Sequence, residues 1–321
     1  MCCLFGLLDY KQRLSLDRRQ EILRVLSISS EERGTDATGI AYFKRDRLYI
    51  QKAPRAAHRM HFRLSQEARY IMGHTRMTTQ GKAQVNYNNH PFAGKASKAG
   101  KTAFALAHNG MIHNDKSLQV SRQLPHTKVE TDSYVAVQLL EQERTLDFTA
   151  FRNMAEALQG TFTITVLDAN NNLYIVKGNN PMCIYQFKGE GFYLYASTQE
   201  ILDDAVKKLG LDKRPHKNIR ITSGEILRIA ADGSMKRGYF NDSALWSVGP
   251  VYSLWDWPRS YTRQAEKDAR SDMLELYSQI SGYSYDTLAM LQDAGFDLMD
   301  IEQMIYDPAL MEECLAEVAY G

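Results

Sequence analysis

Met1-Cys2-Cys3-Leu4-Phe5-Gly6-Leu7-Leu8 opens the chain, and its reading decides the fold. A thiol stands directly behind the initiator methionine. With Met1 removed, Cys2 carries a nucleophile and a free α-amine on one residue. Such an amine titrates at about 7.7–8.0, so it serves as a base near neutrality without a catalytic histidine. The plainer reading of the same residues is a buried apolar strand, since free cysteine packs like a small hydrophobe. Both readings place a strand at Leu4–Leu8.

Working outward, an amphipathic helix is expected over Asp17–Ser29, with Ile22, Leu23, Val25 and Leu26 on its apolar side. Arg33-Gly34-Thr35-Asp36-Ala37-Thr38-Gly39 forms a tight loop that releases a strand at Ile40–Lys44. Arg33 and Asp36 could pair there and hold the turns together. Tyr70–Gly73 reads as a strand running into His74-Thr75-Arg76-Met77-Thr78-Thr79-Gln80-Gly81. The polar loop Asn86-Tyr87-Asn88-Asn89 follows, closed by His90-Pro91-Phe92. Phe104–Ala107 is a strand ending in His108-Asn109-Gly110, where Asn-Gly by itself signals a turn. Thr131-Asp132-Ser133 opens a helix through Leu140, and either Thr131 or Asp132 suits its N-cap. After a helix at Phe151–Leu158, strands are expected at Thr161–Leu167, Leu173–Lys177, Met182–Gln186, Phe192–Ser197 and Gly224–Ile229. Many strands with few helices between them point to stacked sheets in an α+β layer fold.

Composition narrows the classes. The 321 residues are 44% hydrophobic and 24% charged, with a net charge of +1, which gives no ground for nucleic acid or membrane partners. That balance hides a split. Residues 262–321 hold three basic and thirteen acidic side chains, against 36 basic and 25 acidic in the rest. The tail therefore docks on the body or faces a basic partner, or is simply a solvated acidic surface. Its apolar stripes (Met273, Leu276, Tyr277 and Ile280; Leu288, Leu291 and Ala294; Ile301, Met304 and Ile305; Leu310 through Val318) give a small all-helical appendix, marginal by itself. Three tryptophans (Trp246, Trp255 and Trp257) mark the linker before it. The expected division is 1–243, an aromatic linker 244–261, and an acidic helical region 262–321. Cys2, Cys3, Cys183 and Cys314 form no CxxC pair, so neither a disulfide framework nor a zinc site is expected. With no signal peptide and no apolar run of about 20 residues, a cytoplasmic location is expected.

Together and in order, Cys2-x-Leu4-Phe5-Gly6, Arg33-Gly34-x-Asp36-x-x-Gly39-Ile40, Gly73-His74-Thr75-Arg76-x-x-Thr79, His90-Pro91-Phe92, His108-Asn109-Gly110 and Thr131-Asp132-Ser133 resemble the signature series of class II glutamine amidotransferases. The resemblance covers residues 2–240. It implies a four-layer α/β/β/α N-terminal-nucleophile hydrolase sandwich that releases ammonia from glutamine through a γ-glutamyl thioester on Cys2. The Asn109 side chain and the Gly110 N–H would form the oxyanion hole. Arg76 would grip the substrate α-carboxylate and Asp132 the α-ammonium. Met77, Thr79 and Gln80 would complete the pocket, and Arg33 and His74 would support it. The resemblance calls for no cofactor or metal.

Two residues depart from the family pattern: Cys3 stands where glycine is common, and Gln80 where some members have histidine. The long acceptor domain of family members has no counterpart in the last 80 residues. The ammonia is therefore expected to go to a separate synthase subunit, or to be released to water, and a homo-oligomer is possible. Two other readings stay open, an N-terminal-cysteine amidase for another small amide and a non-catalytic binding scaffold. Other signals are set aside. Gly94–Thr102 has one residue too many between its glycines for a phosphate loop, and reads as a basic hairpin. His58 and His61 lack a third metal ligand. No GxGxxG or GxSxG motif occurs.

Overall fold

The computed structural model describes residues 2–96 and 103–246. Of the remainder it describes residues 271, 274–275, 277–278, 281–296, 300–301, 304–305 and 308–320. Residues 97–102 of the basic hairpin expected at Gly94–Thr102, and most of the aromatic linker, lie outside those residues. The chain divides into two compact units, Met1–Val248 and Gly249–Gly321.

The first unit is built on two antiparallel sheets, with strands numbered in chain order. One sheet runs β11 (Lys217–Asn218), β9 (Cys183–Phe187), β10 (Phe192–Ala196), β1 (Cys3–Leu8), β4 (Tyr70–Arg76), β2 (Ala37–Lys44) and β3 (Arg47–Ala53). The other runs β13 (Met235–Tyr239), β12 (Glu225–Ile229), β8 (Leu173–Lys177), β7 (Gly160–Asp168), β6 (Ala103–Ile112) and β5 (Phe92–Lys95). Strand β1 is central in its sheet, paired with β10 and β4.

The apolar residues separate into three layers. Cys3, Phe5 and Leu7 point outward, to a core shared with Ile22, Leu23 and Leu26 of α1 (Leu16–Ser29) and Ile201, Leu202 and Ala205 of α5 (Gln199–Lys208). Leu4 and Leu8 point the other way, and meet Met72, Tyr193 and Tyr195 of their own sheet and Ala105, Ala107, Ile175 and Leu227 of the facing one. The second sheet's outer face, with Leu106, Phe162, Ile164 and Val176, packs on α3 (Tyr134–Glu143) and α4 (Phe148–Ala157). The order helix, sheet, sheet, helix follows directly, as two-sided burial of both sheets requires. It explains why β1 reads as an unbroken apolar run: a strand buried on both faces has no polar side. Burying Phe5 and Leu7 stabilises the fold by roughly 1.5–3 kcal/mol each.

Several local readings change. Asn109-Gly110 is not a turn, for β6 continues through it to Ile112. Gly110 is paired with Phe162 of β7 at φ +139, and a Cβ there would lie 2.0 Å from the Thr161 carbonyl. Tertiary pairing overrides the local turn preference. Neither Thr131 nor Asp132 caps α3, whose N-cap is Ser133 with no side-chain capping bond. Asp132 is instead drawn to the β6 backbone. Helix α5 was not expected, although Thr198 caps it through Ile201 N at 3.3 Å. Strand β3 and the short helices α2 (Asp115–Ser121) and α6 (Ser243–Trp246) also went unread.

The described part of the second unit is helical, with α7 (Tyr285–Asp293) and α8 (Pro308–Tyr320). Leu274, Tyr277, Leu288, Leu291, Ile301, Met304, Met311 and Cys314 form its own small core. The expected stripe members Met273, Leu276 and Ile280 lie outside the described residues. Among the described residues no helix is long and apolar enough to cross a membrane.

Candidate active site

Strand alternation sorts the chemistry-bearing residues. On β4 the inward set Tyr70 and Met72 continues to His74 and Arg76. On β6 the inward set Ala105 and Ala107 continues to Asn109. On β1 the inward phase of Leu4 extends to Cys2, while Cys3 falls in the outer core and is fully buried. The two adjacent thiols thus occupy different compartments. Only Cys2 lies at the end of the inter-sheet layer, together with Arg76 and Asn109.

Cys2 is half-buried, with its Sγ–H 3.4 Å from the Met77 carbonyl. Arg33 Nε donates to the Cys2 carbonyl at 3.1 Å. Asp36 accepts from Thr78 N at 2.8 Å, and its own N–H reaches the Arg76 carbonyl at 3.0 Å. The glycine-rich loop therefore clamps the start of β1 and the segment after β4 side by side. Gly34 makes this possible, since a Cβ there would sit 2.5 Å from the Arg76 backbone. Burial pushes the Cys2 thiol above its ordinary value, the Arg76 cation works against that rise, and the Asp132 carboxylate adds to it. Both charges are thus near enough to act on the sulfur.

Arg76 is buried, and its partners are all neutral. Nη1 donates to Asn89 Oδ1 at 2.6 Å, and Nη2 to the carbonyls of Gln80 and, at 3.1 Å, Gly81. No carboxylate among the described residues pairs with it. Asp132 is its mirror image. Buried at 5% exposure, it accepts from Ile112 N at 2.6 Å and lies 3.3 Å from Ser133 Oγ, with no cation paired to it among the described residues. His108 Nε2 faces the Thr161 carbonyl at 3.3 Å, and its Nδ1 faces Ser133 Oγ at 2.8 Å. With the proton on Nε2, the Ser133 hydroxyl donates to Nδ1. Among the described residues, Asp132 Oδ1 is then left with only the long 3.3 Å approach of that same hydroxyl oxygen.

The Asn109 side chain makes one weak contact, Nδ2 to Ser197 Oγ at 3.4 Å, while Ser197 Oγ also receives Leu4 N at 2.8 Å. The Asn109 carbonyl is held by Asn180 Nδ2 at 2.9 Å. An amide donor so loosely engaged can turn to a developing negative oxygen. His74 bridges the sheets, its Nε2–H donating to the His108 carbonyl at 2.9 Å. Burial pushes His74 down to about 3, so it is neutral near pH 7 and braces the site without adding charge. Its ring lies 4.2 Å from that of His90, tilted by 31°.

Of the residues expected from sequence, Cys2, Arg33, Arg76, Met77, Asn109, Gly110, Asp132 and His74 come together at this end of the inter-sheet layer. Gln80 contributes its carbonyl to Arg76, and the exposed Thr79 lies in the same loop with no hydrogen-bond partner among the described residues. Sequence reasoning missed Ser197, Asn180, Asn88, Asn89 and Glu130. The Asn-rich loop was visible as a polar loop, but amide pairing leaves no periodic trace. His58, set aside as a metal ligand, lies 3.0 Å from Glu31. Among the described residues no group of three His, Cys, Asp or Glu is placed to hold a metal.

The chain is similar to known proteins. A family described as a glutamine amidotransferase domain matches residues 74–204. A glutamine–fructose-6-phosphate aminotransferase (isomerizing) of Sulfolobus acidocaldarius is 30% identical over 194 residues, covering 57% of this chain and 31% of that protein. Its Staphylococcus epidermidis counterpart is 31% identical over 206 residues, covering 61% and 32%. The chain thus spans about a third of the length of these curated relatives. Among solved structures, a glutamine phosphoribosylpyrophosphate amidotransferase from B. subtilis superposes with a TM-score of 0.58 at 20% identity, over 75% of this chain and 49% of that one. A second structure, of the allosteric regulatory enzyme of purine biosynthesis, gives 0.59 at 19% identity. At these identities the superpositions speak to the fold.

Proposed function

Because the chain carries a class II glutamine amidotransferase domain on an N-terminal-nucleophile fold, we propose that it hydrolyses the side-chain amide of free glutamine, with Cys2 as nucleophile and a separate protein as ammonia acceptor. One observation carries the reading. Two buried opposite charges, Arg76 and Asp132, lie near one half-buried thiol, each bonded only to neutral groups. Asp132 and Asp36 act on Arg76 only from beyond ion-pair distance. A buried charge without a direct ion pair is costly, and a zwitterionic amino acid would supply one to each group at once.

In this reading Met1 is removed and the Cys2 amine takes the thiol proton. The sulfur attacks the γ-carbonyl carbon of glutamine. The oxyanion is received by Asn109 Nδ2 and the Gly110 N–H. The tetrahedral adduct collapses, the amine returns its proton to the leaving nitrogen, and ammonia departs. Water then hydrolyses the thioester to glutamate. The arginine fork grips the α-carboxylate and Asp132 the α-ammonium. Met77, Thr79 and Gln80 line the same pocket, and Arg33 fixes the Cys2 backbone. The helical unit after residue 248 is the surface on which we place the acceptor protein.

Acid quenching within a turnover tests the intermediate. Mass spectrometry of the N-terminal peptide should show a glutamyl adduct on Cys2, present in Cys3→Ala and absent from Cys2→Ala. A protein that releases glutamate without ever carrying that adduct would overturn the mechanism. Release of ammonia from another small amide, but not from glutamine, would overturn the substrate.

A further inference from the structure

The polar loop Asn86–Asn89 takes no part in the steps above, yet two of its side chains are fully buried and fully engaged. Asn88 and Asn89 are both at 0% exposure. Asn89 Oδ1 accepts from Arg76 Nη1 at 2.6 Å, and its Nδ2 donates to the Ala83 carbonyl at 2.7 Å and to Asn86 Oδ1 at 3.3 Å. The Asn89 carbonyl receives the half-buried Lys52 ammonium, which also donates to the Pro91 carbonyl at 3.1 Å. Asn88 faces the other way. Its Nδ2 donates to Glu130 Oε2 at 2.8 Å and its Oδ1 accepts from Glu130 N at 3.0 Å. Glu130 stands two residues before Asp132.

One pair of adjacent residues, with Cα atoms about 3.8 Å apart, is therefore tied to the arginine through one amide and to the segment bearing the aspartate through the other. We propose that Asn88 and Asn89 are positioning residues that fix the span between Arg76 and Asp132, and so restrict the site to amides that carry both a free α-carboxylate and a free α-ammonium. The proposal rests on the reading that Arg76 and Asp132 receive those two groups.

The choice of amides follows from charge. A carboxylate at 89 would hold the guanidinium equally well in shape, but would neutralise the charge that the substrate needs. A carboxylate at 88 would face Glu130 at hydrogen-bond distance and repel it. A neutral amide orients each partner and leaves its charge for the ligand. Lys52 fixes the loop from behind through backbone carbonyls, so it does not compete for Arg76.

Labelling of Cys2 in the full chain tests this, followed by mass spectrometry of its peptide. One probe is 6-diazo-5-oxo-L-norleucine, which carries glutamine's α-groups. The second is a bare diazoketone without them, and the third is iodoacetamide. Asn89→Ala should slow labelling by the glutamine-shaped reagent at least tenfold and leave iodoacetamide labelling within twofold. Asn89→Asp keeps the acceptor for Arg76 but neutralises it and loses the donor to the Ala83 carbonyl, so it should be slowed at least as much as Asn89→Ala; a purely structural defect would instead slow iodoacetamide labelling as well. Asn88→Ala should reproduce the selective loss through the Asp132 side. Equal slowing with all reagents, or no slowing, would overturn the proposal. If wild-type protein reacts equally with the glutamine-shaped and the bare diazoketone, the Arg76–Asp132 reading fails and the proposal falls with it.

Discussion

Acidification should unfold the first unit through its buried imidazoles, and His74 gives the size of the effect. Burial, outweighing its bond to the His108 carbonyl, holds His74 at about 3, against about 6.5 in an unfolded chain. Between those values the unfolded state binds a proton that the native state refuses. Stability therefore rises with pH in that window and falls as pH drops through 6.5 toward 3. From pH 7 to pH 5 the loss from this one residue is about 1.9 kcal/mol, about two thirds of the limit of about 1.4 kcal/mol per pH unit, because the unfolded-state imidazole is only partly protonated above pH ~6.5. His90, its ring 4.2 Å away and held well below its ordinary value by burial, acts in the same direction. His74→Gln retains an N–H for the His108 carbonyl but cannot titrate. Native-state hydrogen exchange of the β1 and β4 amides at pH 7 and pH 5, corrected for intrinsic rates, gives the unfolding free energy of this unit. The pH-dependent loss in wild type should exceed that in His74→Gln by about 2 kcal/mol. An equal loss in both proteins would refute the reasoning, as would a gain of stability on acidification.

Three further outcomes follow from the same geometry. Asn109→Ala should lower kcat for glutamate release by roughly 10²–10³-fold, the usual cost of one oxyanion donor, with little change in KM; a change confined to KM would place Asn109 elsewhere in the cycle. Gly110→Ala should cost about 3 kcal/mol and lower Tm by about 6–12 °C, because its Cβ would meet the Thr161 carbonyl at 2.0 Å from a φ of +139; an unchanged Tm would contradict the strand placement. His90→Phe should raise stability at pH 7 by about 1 kcal/mol and by more at pH 5, since neither buried ring nitrogen has a protein partner. Chemical denaturation checks it, and a lower midpoint at both pH values would contradict it.

Legibility in the sequence followed physical type. Strand β1 could be read because both of its faces are apolar, and α1 because Ile22, Leu23 and Leu26 recur at helical spacing. The chemistry of Cys2, Arg76, Asn109 and Asp132 was readable because unusual residue types stood in a fixed order along the chain. What escaped was set by contacts distant in sequence. Asn109-Gly110 favours a turn locally, and only pairing with Thr163 and Phe162 holds it extended. Asp132 suits an N-cap locally, and only the approach of Ile112 N draws it away. Asn88 and Asn89 looked like loop polarity, because a side-chain amide gives no hint of its partner. Helix α5 is a different failure: Thr198 and the stripe Ile201, Leu202 and Ala205 were present and were passed over among strands. The separation of Cys2 from Cys3 needed nothing beyond the period of two in a strand.

Steady-state glutamate release from glutamine tests the central claim most directly, with loss of Met1 confirmed by intact mass in wild type, Cys2→Ala and Cys3→Ala. The account predicts turnover in wild type, a loss of at least about 10³-fold in Cys2→Ala, and activity within a few-fold of wild type in Cys3→Ala. Undiminished turnover in Cys2→Ala, or an equal loss in Cys3→Ala, would contradict it.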